Sequence, residues 1–208
     1  VDLMIPELNP DLAGLKLVQL TDIHLGPYLS RAELRWCVDL ANETRASFGL
    51  VRGDLVTGAT EAIVPCLEEL RRLKCSEAIF GCLGNHERYL EAEAYTAAEG
   101  SRRGIEFLRG ARRELRVGGA SINLVGMDFF YRDETHLREL NYLQRPGMLN
   151  VLLCHNPALF PKARREKWDL TVAGHTHGGQ LDVEIFDRRL LPMRIATPYV
   201  YGQYREDN

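Results

Sequence analysis

The stretch Leu15-Lys16-Leu17-Val18-Gln19-Leu20-Thr21-Asp22-Ile23-His24 carries a short apolar run that stops at an aspartate and a histidine. Residues 15–20 read as a β-strand, which puts Asp22 and His24 at its carboxyl end. Ser30 then offers a helix cap, with Glu33 three residues on completing a capping box. Leu34, Cys37, Val38 and Ala41 fall at i, i+3, i+4 and i+7, one face of the helix that follows. Residues 50–52 read as a second strand. Ile63, Cys66, Leu67, Leu70 and Leu73 mark a second helix, with Pro65 tolerated in its first turn. Residues 78–83 read as a third strand and residues 90–102 as a third helix.

Beyond residue 110 the pattern changes. Residues 112–117 and 120–125 flank Gly118-Gly119, a two-residue turn that permits positive φ, so a β-hairpin is expected. A helix is expected over residues 134–143, a strand over 150–154, a helix over 158–166 and a strand over 170–173. Residues 180–185 and 190–195 suggest more β-structure. Strands alternating with helices, then a hairpin, indicate an α/β chain with sheets covered by helices.

The chain has 208 residues, 45% of them hydrophobic, enough to bury a core and to exclude a disordered protein. A net charge of -3 and a pI near 6.1 argue against a dedicated nucleic-acid binder. No apolar run approaches the ~18 residues of a membrane span. The five cysteines (Cys37, Cys66, Cys75, Cys82, Cys154) are odd in number and lack C-x-x-C spacing, which fits buried thiols in a reducing compartment.

The unusual polar residues fall where strands end. The first strand delivers Asp22 and His24, the second Gly53-Asp54, the third Gly84-Asn85-His86-Glu87, and two later strands deliver His155 and Gly174-His175-Thr176-His177. Ligands of open α/β sheets bind beyond the carboxyl ends of strands, so these side chains are offered to one space. Any one of these signals has an ordinary reading as a turn or helix cap; their joint placement does not. Imidazole nitrogens and carboxylate oxygens without a thiolate suit manganese, iron or zinc. Two such ions about 3.5–4 Å apart, sharing a carboxylate, suit hydrolysis of a phosphate ester by in-line attack of a hydroxide held between them.

The five parts D-x-H, G-D, G-N-H-[DE], a lone His and G-H-x-H stand here in the order of the calcineurin-like metallophosphoesterases, and the chain resembles that family from about Leu15 to Tyr204. Leu20-Thr21-Asp22-Ile23-His24-Leu25-Gly26 and Gly174-His175-Thr176-His177-Gly178-Gly179-Gln180 are most similar to the YkuE-type branch. The resemblance implies a four-layer α/β/β/α sandwich in one domain over residues 1–208. Relatives continue past the position of Asn208, so the last strands of the sandwich are expected to lie outside this chain. It also implies a phosphodiesterase with two divalent ions, manganese first, iron or zinc as alternatives. Asp22, His24 and His177 would hold one ion, Asn85, His155 and His175 the other, and Asp54 would bridge them. His86 would stabilise the transition state or protonate the leaving group. The implied substrate is a phosphate ester, lipid-linked in some relatives. A cytoplasmic or peripheral-membrane location follows, with an anchor or signal upstream of Val1 left open, as is the oligomeric state.

Two positions depart from the family pattern. Thr57 stands where many members carry a second aspartate that orients the catalytic histidine. Arg52 stands where relatives have a small or hydroxyl residue; it is a candidate for a substrate phosphate, against a role at the surface or behind the ligands. Tyr89 is a candidate to line the pocket, against plain packing, and Tyr199, Tyr201 and Tyr204 to close the site or to join further strands. His136 lies outside the pattern and reads as an exposed helix residue. Two alternatives to a general phosphodiesterase remain. One is a UDP-2,3-diacylglucosamine pyrophosphatase-type hydrolase of lipid A synthesis. The other is a catalytically silent interaction module, which the presence of all seven ligand positions and His86 argues against.

Overall fold

In a computed structural model of the chain, the residues described are 1–129, 133–179, 183–185, 188–190 and 197–205. The elements run β1 (Leu17–Thr21), α1 (Arg31–Glu43), β2 (Phe48–Arg52), α2 (Ile63–Leu70), β3 (Ala78–Cys82), α3 (Asn85–Tyr89), α4 (Glu93–Ser101) and β4 (Ile105–Phe107). They continue as β5 (Ala111–Val117), β6 (Ala120–Gly126), α5 (Asp133–Glu139), β7 (Leu149–Leu153), α6 (Phe160–Arg165), β8 (Leu170–Val172), β9 (Val183–Ile185) and β10 (Arg188–Leu190).

Strands β1 to β4 form one parallel sheet in sequence order. Strands β5 to β8 form a second, antiparallel only at the β5–β6 hairpin. Strand β2 is buried at all five positions, as expected of a parallel strand covered on both faces. Alternate residues face opposite ways, and three apolar clusters follow. Phe48, Leu50, Phe80 and Cys82 of the first sheet meet Ile122, Leu124, Val151 and Leu153 of the second. Val51, Ile79 and Ile105 turn outward against Leu34 and Val38 of α1 and Cys66, Leu67 and Leu70 of α2. Val125 and Leu152 pack against Leu137 of α5 and Ala163 of α6. The layers are therefore helix, sheet, sheet, helix.

The register aligns the strand ends. Thr21, Arg52 and Cys82 are paired in one row of the first sheet, and Gly126, Leu153 and Val172 in one row of the second. All of these but Gly126 stand just before the residues singled out above.

The Ser30–Glu33 capping box is present: Ser30 Oγ accepts from the Glu33 N–H at 3.3 Å, and the Ser30 N–H donates to Glu33 Oε2 at 2.8 Å. The helix expected over residues 90–102 is present as α4, Glu93–Ser101, and a separate short helix that the sequence reading did not give, α3, precedes it over Asn85–Tyr89. Glu87 starts α3 directly after the end of β3 by accepting from the Gly84 N–H at 2.8 Å, and Glu91 takes a left-handed φ of 51°, which separates α3 from α4. The short strand β4 carried no periodic signal. Residues 158–166 open with a 3-10 turn (Pro157–Leu159) and only then become α6. Strands β9 and β10 pair antiparallel; residues 191–196, where the last strand was expected to run, lie outside the described residues.

Candidate metal centre

Seven candidate ligands are delivered by five strand ends. Asp22 and His24 follow β1, Asp54 follows β2, Asn85 opens α3 after β3, His155 follows β7, and His175 and His177 follow β8. The turns that present them use left-handed backbone. Asp22 (φ 52°), His24 (50°), Asp54 (54°), His175 (71°) and His177 (51°) all lie there, a conformation that costs about 1 kcal/mol or more at each non-glycine residue. Gly53 (φ +44°) combines a left-handed φ with a close approach: a Cβ there would stand 2.5 Å from Gly84 Cα and 2.5 Å from His155 Nδ1.

Ligand atoms of Asp22, His24, Asp54 and His177 all lie within 4.8 Å of one another, and so do those of Asp54, His155 and His175. Asp54 belongs to both groups. Its Oδ2 is 3.6 Å from His24 Nε2 and 3.1 Å from His155 Nε2. His177 Nε2 lies 3.7 Å from Asp22 Oδ1 and 3.1 Å from His24 Nε2. Donors around one ion with bonds near 2.1 Å are separated by roughly 3–4 Å, so these spacings suit ion binding.

The unused hydrogen-bonding capacity points the same way. Asn85 Oδ1 and both ring nitrogens of His155 are buried without a hydrogen-bond partner among the described residues, although His155 Nε2 is close to Asp54. Buried polar atoms are normally satisfied. A set of nitrogen and oxygen donors with lone pairs left over, two of them carboxylates, fits a divalent cation.

Electrostatics prepare the donors. Burial works to keep Asp54 protonated, but the His155 ring and the backbone N–H of His86, 2.9 Å from Oδ1, outweigh it and hold the carboxyl at about 2. Burial pushes the His24 and His175 imidazoles below their ordinary value, with neighbouring histidines adding to the effect and Asp54 opposing it. Both rings therefore favour the neutral form that binds metals.

Behind the ligands lies a supporting set that sequence reasoning left without roles. Glu87 is fully buried, and its carboxylate accepts three backbone N–H groups: Asp54 at 2.9 Å, Leu55 at 2.7 Å and Gly84 at 2.8 Å. Burial pushes its carboxyl up, the nearby Asp54 adds to this, and the three N–H groups oppose it. Asp22 accepts the His175 N–H at 2.8 and 3.0 Å, tying the end of β1 to the end of β8. Thr21 Oγ1 sits 2.6 Å from Asp22 Oδ2 and 2.8 Å from the Arg52 carbonyl. The Phe129 ring packs on His175 and His155, with centroids 5.6 and 6.3 Å away. Phe129 follows β6 and was legible only as one more residue past a strand end.

His86 lies beside the cluster, its ring 4.6 Å from that of His24. Its Nδ1 is 2.6 Å from the Thr57 carbonyl, which can only accept, so Nδ1 carries a proton and Nε2 is free for chemistry. The backbone of Thr57 thus supplies an orienting partner where the side chain has no carboxylate. Tyr89 is exposed at the rim, its ring 5.7 Å from His86. Arg52, considered above for substrate phosphate, is 0% exposed and lies beneath the site, so contact with a ligand in the cleft does not fit its position. His136 pairs with Glu139 on α5, at 3.3 Å. Beside Asp22 and His177 opens a cleft of about 700 Å³, lined in part by Leu17, Leu170, Phe160 and Tyr199.

Residues 15–179 match the calcineurin-like phosphoesterase family. The chain is 29% identical over 226 residues to a transmembrane protein with a metallophosphoesterase domain from Danio rerio, covering 99% of this chain and 48% of that one. It is 24% identical to the uncharacterized metallophosphoesterase YkuE of Bacillus subtilis (92% and 68% covered) and 25% identical to the phosphodiesterase YaeI of Escherichia coli (91% and 70% covered). The chain spans about half the length of the first relatives it matches. Among solved structures, TT1561 of Thermus thermophilus superposes with a TM-score of 0.56 at 12% identity, over 76% of this chain and 81% of that one, a likeness of fold. Among the described residues no helix is long and apolar enough to cross a membrane.

Proposed function

Since the chain belongs to the calcineurin-like phosphoesterase family, a family of metal-dependent phosphoric ester hydrolases, we propose that it hydrolyses phosphodiesters at a binuclear centre. Asp22, His24 and His177 would hold one divalent ion, Asn85, His155 and His175 the second, with Asp54 between them. The observation that carries this reading is the sharing of Asp54 by two ligand groups, each compact enough for one ion. When bound, the ions supply charge neutralisation at the phosphoryl oxygens and acidify a water.

The protein's own residues do the rest. Asp54 stays anionic at any working pH, because its carboxyl is held at about 2. Glu87 anchors the Asp54 and Leu55 N–H groups, which fixes the left-handed turn that aims the Asp54 carboxylate. His86, oriented through Nδ1 by the Thr57 carbonyl, would turn Nε2 towards a leaving oxygen beside His24 and pass a proton there. Manganese is the proposed ion, since the nitrogen and oxygen donor set accepts it along with iron and zinc.

A second reading, an ester carrying an apolar chain, is favoured by the cleft that adjoins Asp22 and His177. The test common to both is hydrolysis of bis(4-nitrophenyl) phosphate by metal-stripped protein, before and after Mn²⁺, with Asp54→Ala as control. Activity that requires both the metal and Asp54 is the expected result. Metal-independent activity, or none with metal bound, overturns the proposal. A preference for long-chain over short-chain diesters would select the second reading.

A further inference from the structure

Both candidate ion-binding groups draw on both sheets: Asp22, His24 and Asp54 on the first, His155, His175 and His177 on the second. Their spacing therefore depends on how the two sheets sit against each other at this end. The layer between the sheets is apolar, and apolar burial is non-directional. It holds the sheets together without setting the distance from one donor atom to another.

Where that layer meets the site, the sequence places an arginine. Arg52 continues the inward-facing row of Phe48 and Leu50 and is fully buried. Its Nη1 donates to the Cys154 carbonyl across the layer at 3.3 Å, while Nε and Nη2 find no partner among the described residues. Cys154 is the residue before His155, and Arg52 lies two residues before Asp54. The two side chains so linked approach to 3.1 Å, His155 Nε2 to Asp54 Oδ2. The Arg52 carbonyl also meets Thr21 Oγ1, the hydroxyl beside Asp22.

A buried guanidinium with two donors unused destabilises a core, and an apolar side chain of similar length is often neutral or better there. We infer that Arg52 is a positioning residue: it ties the end of β7 to the end of β2 and so sets the His155–Asp54 spacing of the second ion site. The inference rests on reading the cluster as a binuclear centre. A role through charge alone has the opposite sign, because a fixed cation near two dications opposes their binding. Removing such a cation would tighten the metal; removing a positioning residue loosens it.

The test compares metal-stripped wild type, Arg52→Met and Arg52→Lys, first by thermal denaturation and then by Mn²⁺ calorimetry and electron paramagnetic resonance. Arg52→Met is expected to melt at or above the wild-type temperature yet bind its second Mn²⁺ about 10–100-fold more weakly, the usual effect of losing a group that orients a ligand. Its spectrum at two equivalents should show an isolated ion in place of the coupled pair. Arg52→Lys, which keeps the charge and a donor but not the planar fork, should recover part of the affinity. Unchanged or tighter binding in Arg52→Met overturns the inference, as does loss of metal that merely tracks loss of folding in both variants. A wild type that binds no divalent ion overturns the proposed function as well, whereas two ions bound equally by wild type and Arg52→Met overturn only the role of Arg52.

Discussion

Replacing Glu87 by glutamine tests the scaffold of the site without changing the size of the side chain. In the wild type, Oε2 accepts the Asp54 and Gly84 N–H groups and Oε1 accepts that of Leu55. A glutamine that turns its oxygen to the first pair points its NH2 at the Leu55 N–H, donor against donor. An orphaned buried N–H costs about 1–3 kcal/mol, and the two surviving bonds lose the strengthening that a charged acceptor gives, about 1 kcal/mol each at most. Glu87 is 0% exposed, so water does not make up the difference. Relief of the burial penalty that pushes the Glu87 carboxyl up offsets part of this, leaving about 2 kcal/mol, which for a chain of this length lowers Tm by roughly 4–8 °C. Thermal denaturation of the metal-free protein at neutral pH measures it directly. A shift under about 1 °C would refute the claim that these three N–H groups depend on the carboxylate. A full shift with ion binding intact would limit Glu87 to stability and remove it from the positioning of Asp54.

Three further outcomes follow from the same geometry. Gly53→Ala forces a Cβ against Gly84 and His155 in a left-handed turn, so about 2–5 kcal/mol of destabilisation is expected in a denaturant melt; an alanine variant of wild-type stability contradicts it. Asp54 is held at about 2 against an ordinary 3.8, a depressed carboxylate whose stabilisation is present above pH 4 and lost as pH falls towards 2. That is about 2 kcal/mol, and acid titration of the metal-free Asp54→Asn variant should be flatter by this amount. His86→Ala should lower kcat by about 10²-fold, the low end for a general acid, because its partner is a carbonyl and not a carboxylate; metal content should not change, and a fall in metal content would make His86 a ligand instead.

Much of the fold and of the site is legible in the sequence. Leu50–Val51 marks β2, because a parallel strand buried on both faces needs an apolar run, and the alternation Val18-Gln19-Leu20 marks the half-open β1. The polar residues immediately after those runs mark the site, because chemistry at strand ends leaves the packed layers intact. What was not legible depends on contacts distant in the chain. Glu87 looks like an ordinary cap until Asp54 and Leu55 are seen to share its carboxylate. Thr57 looks like a lost partner for His86 because a side-chain pattern says nothing of where a backbone carbonyl points. Arg52 could be placed on a strand end, but only packing of the second sheet over it puts its guanidinium under the ligands and out of reach of substrate. Helix α3 escaped periodicity because its five residues, Asn85–Tyr89, are mostly polar and too few to show a face, and a left-handed Glu91 separates it from α4.

The central claim is that Asp54 joins two ion sites. Elemental analysis of divalent metal bound per chain, after stripping and reconstitution with Mn²⁺, tests it in wild type and in Asp54→Asn. Two equivalents are expected in the wild type and no more than one, weakly held, in the variant. A single equivalent in the wild type, or two retained without the Asp54 carboxylate, would contradict it.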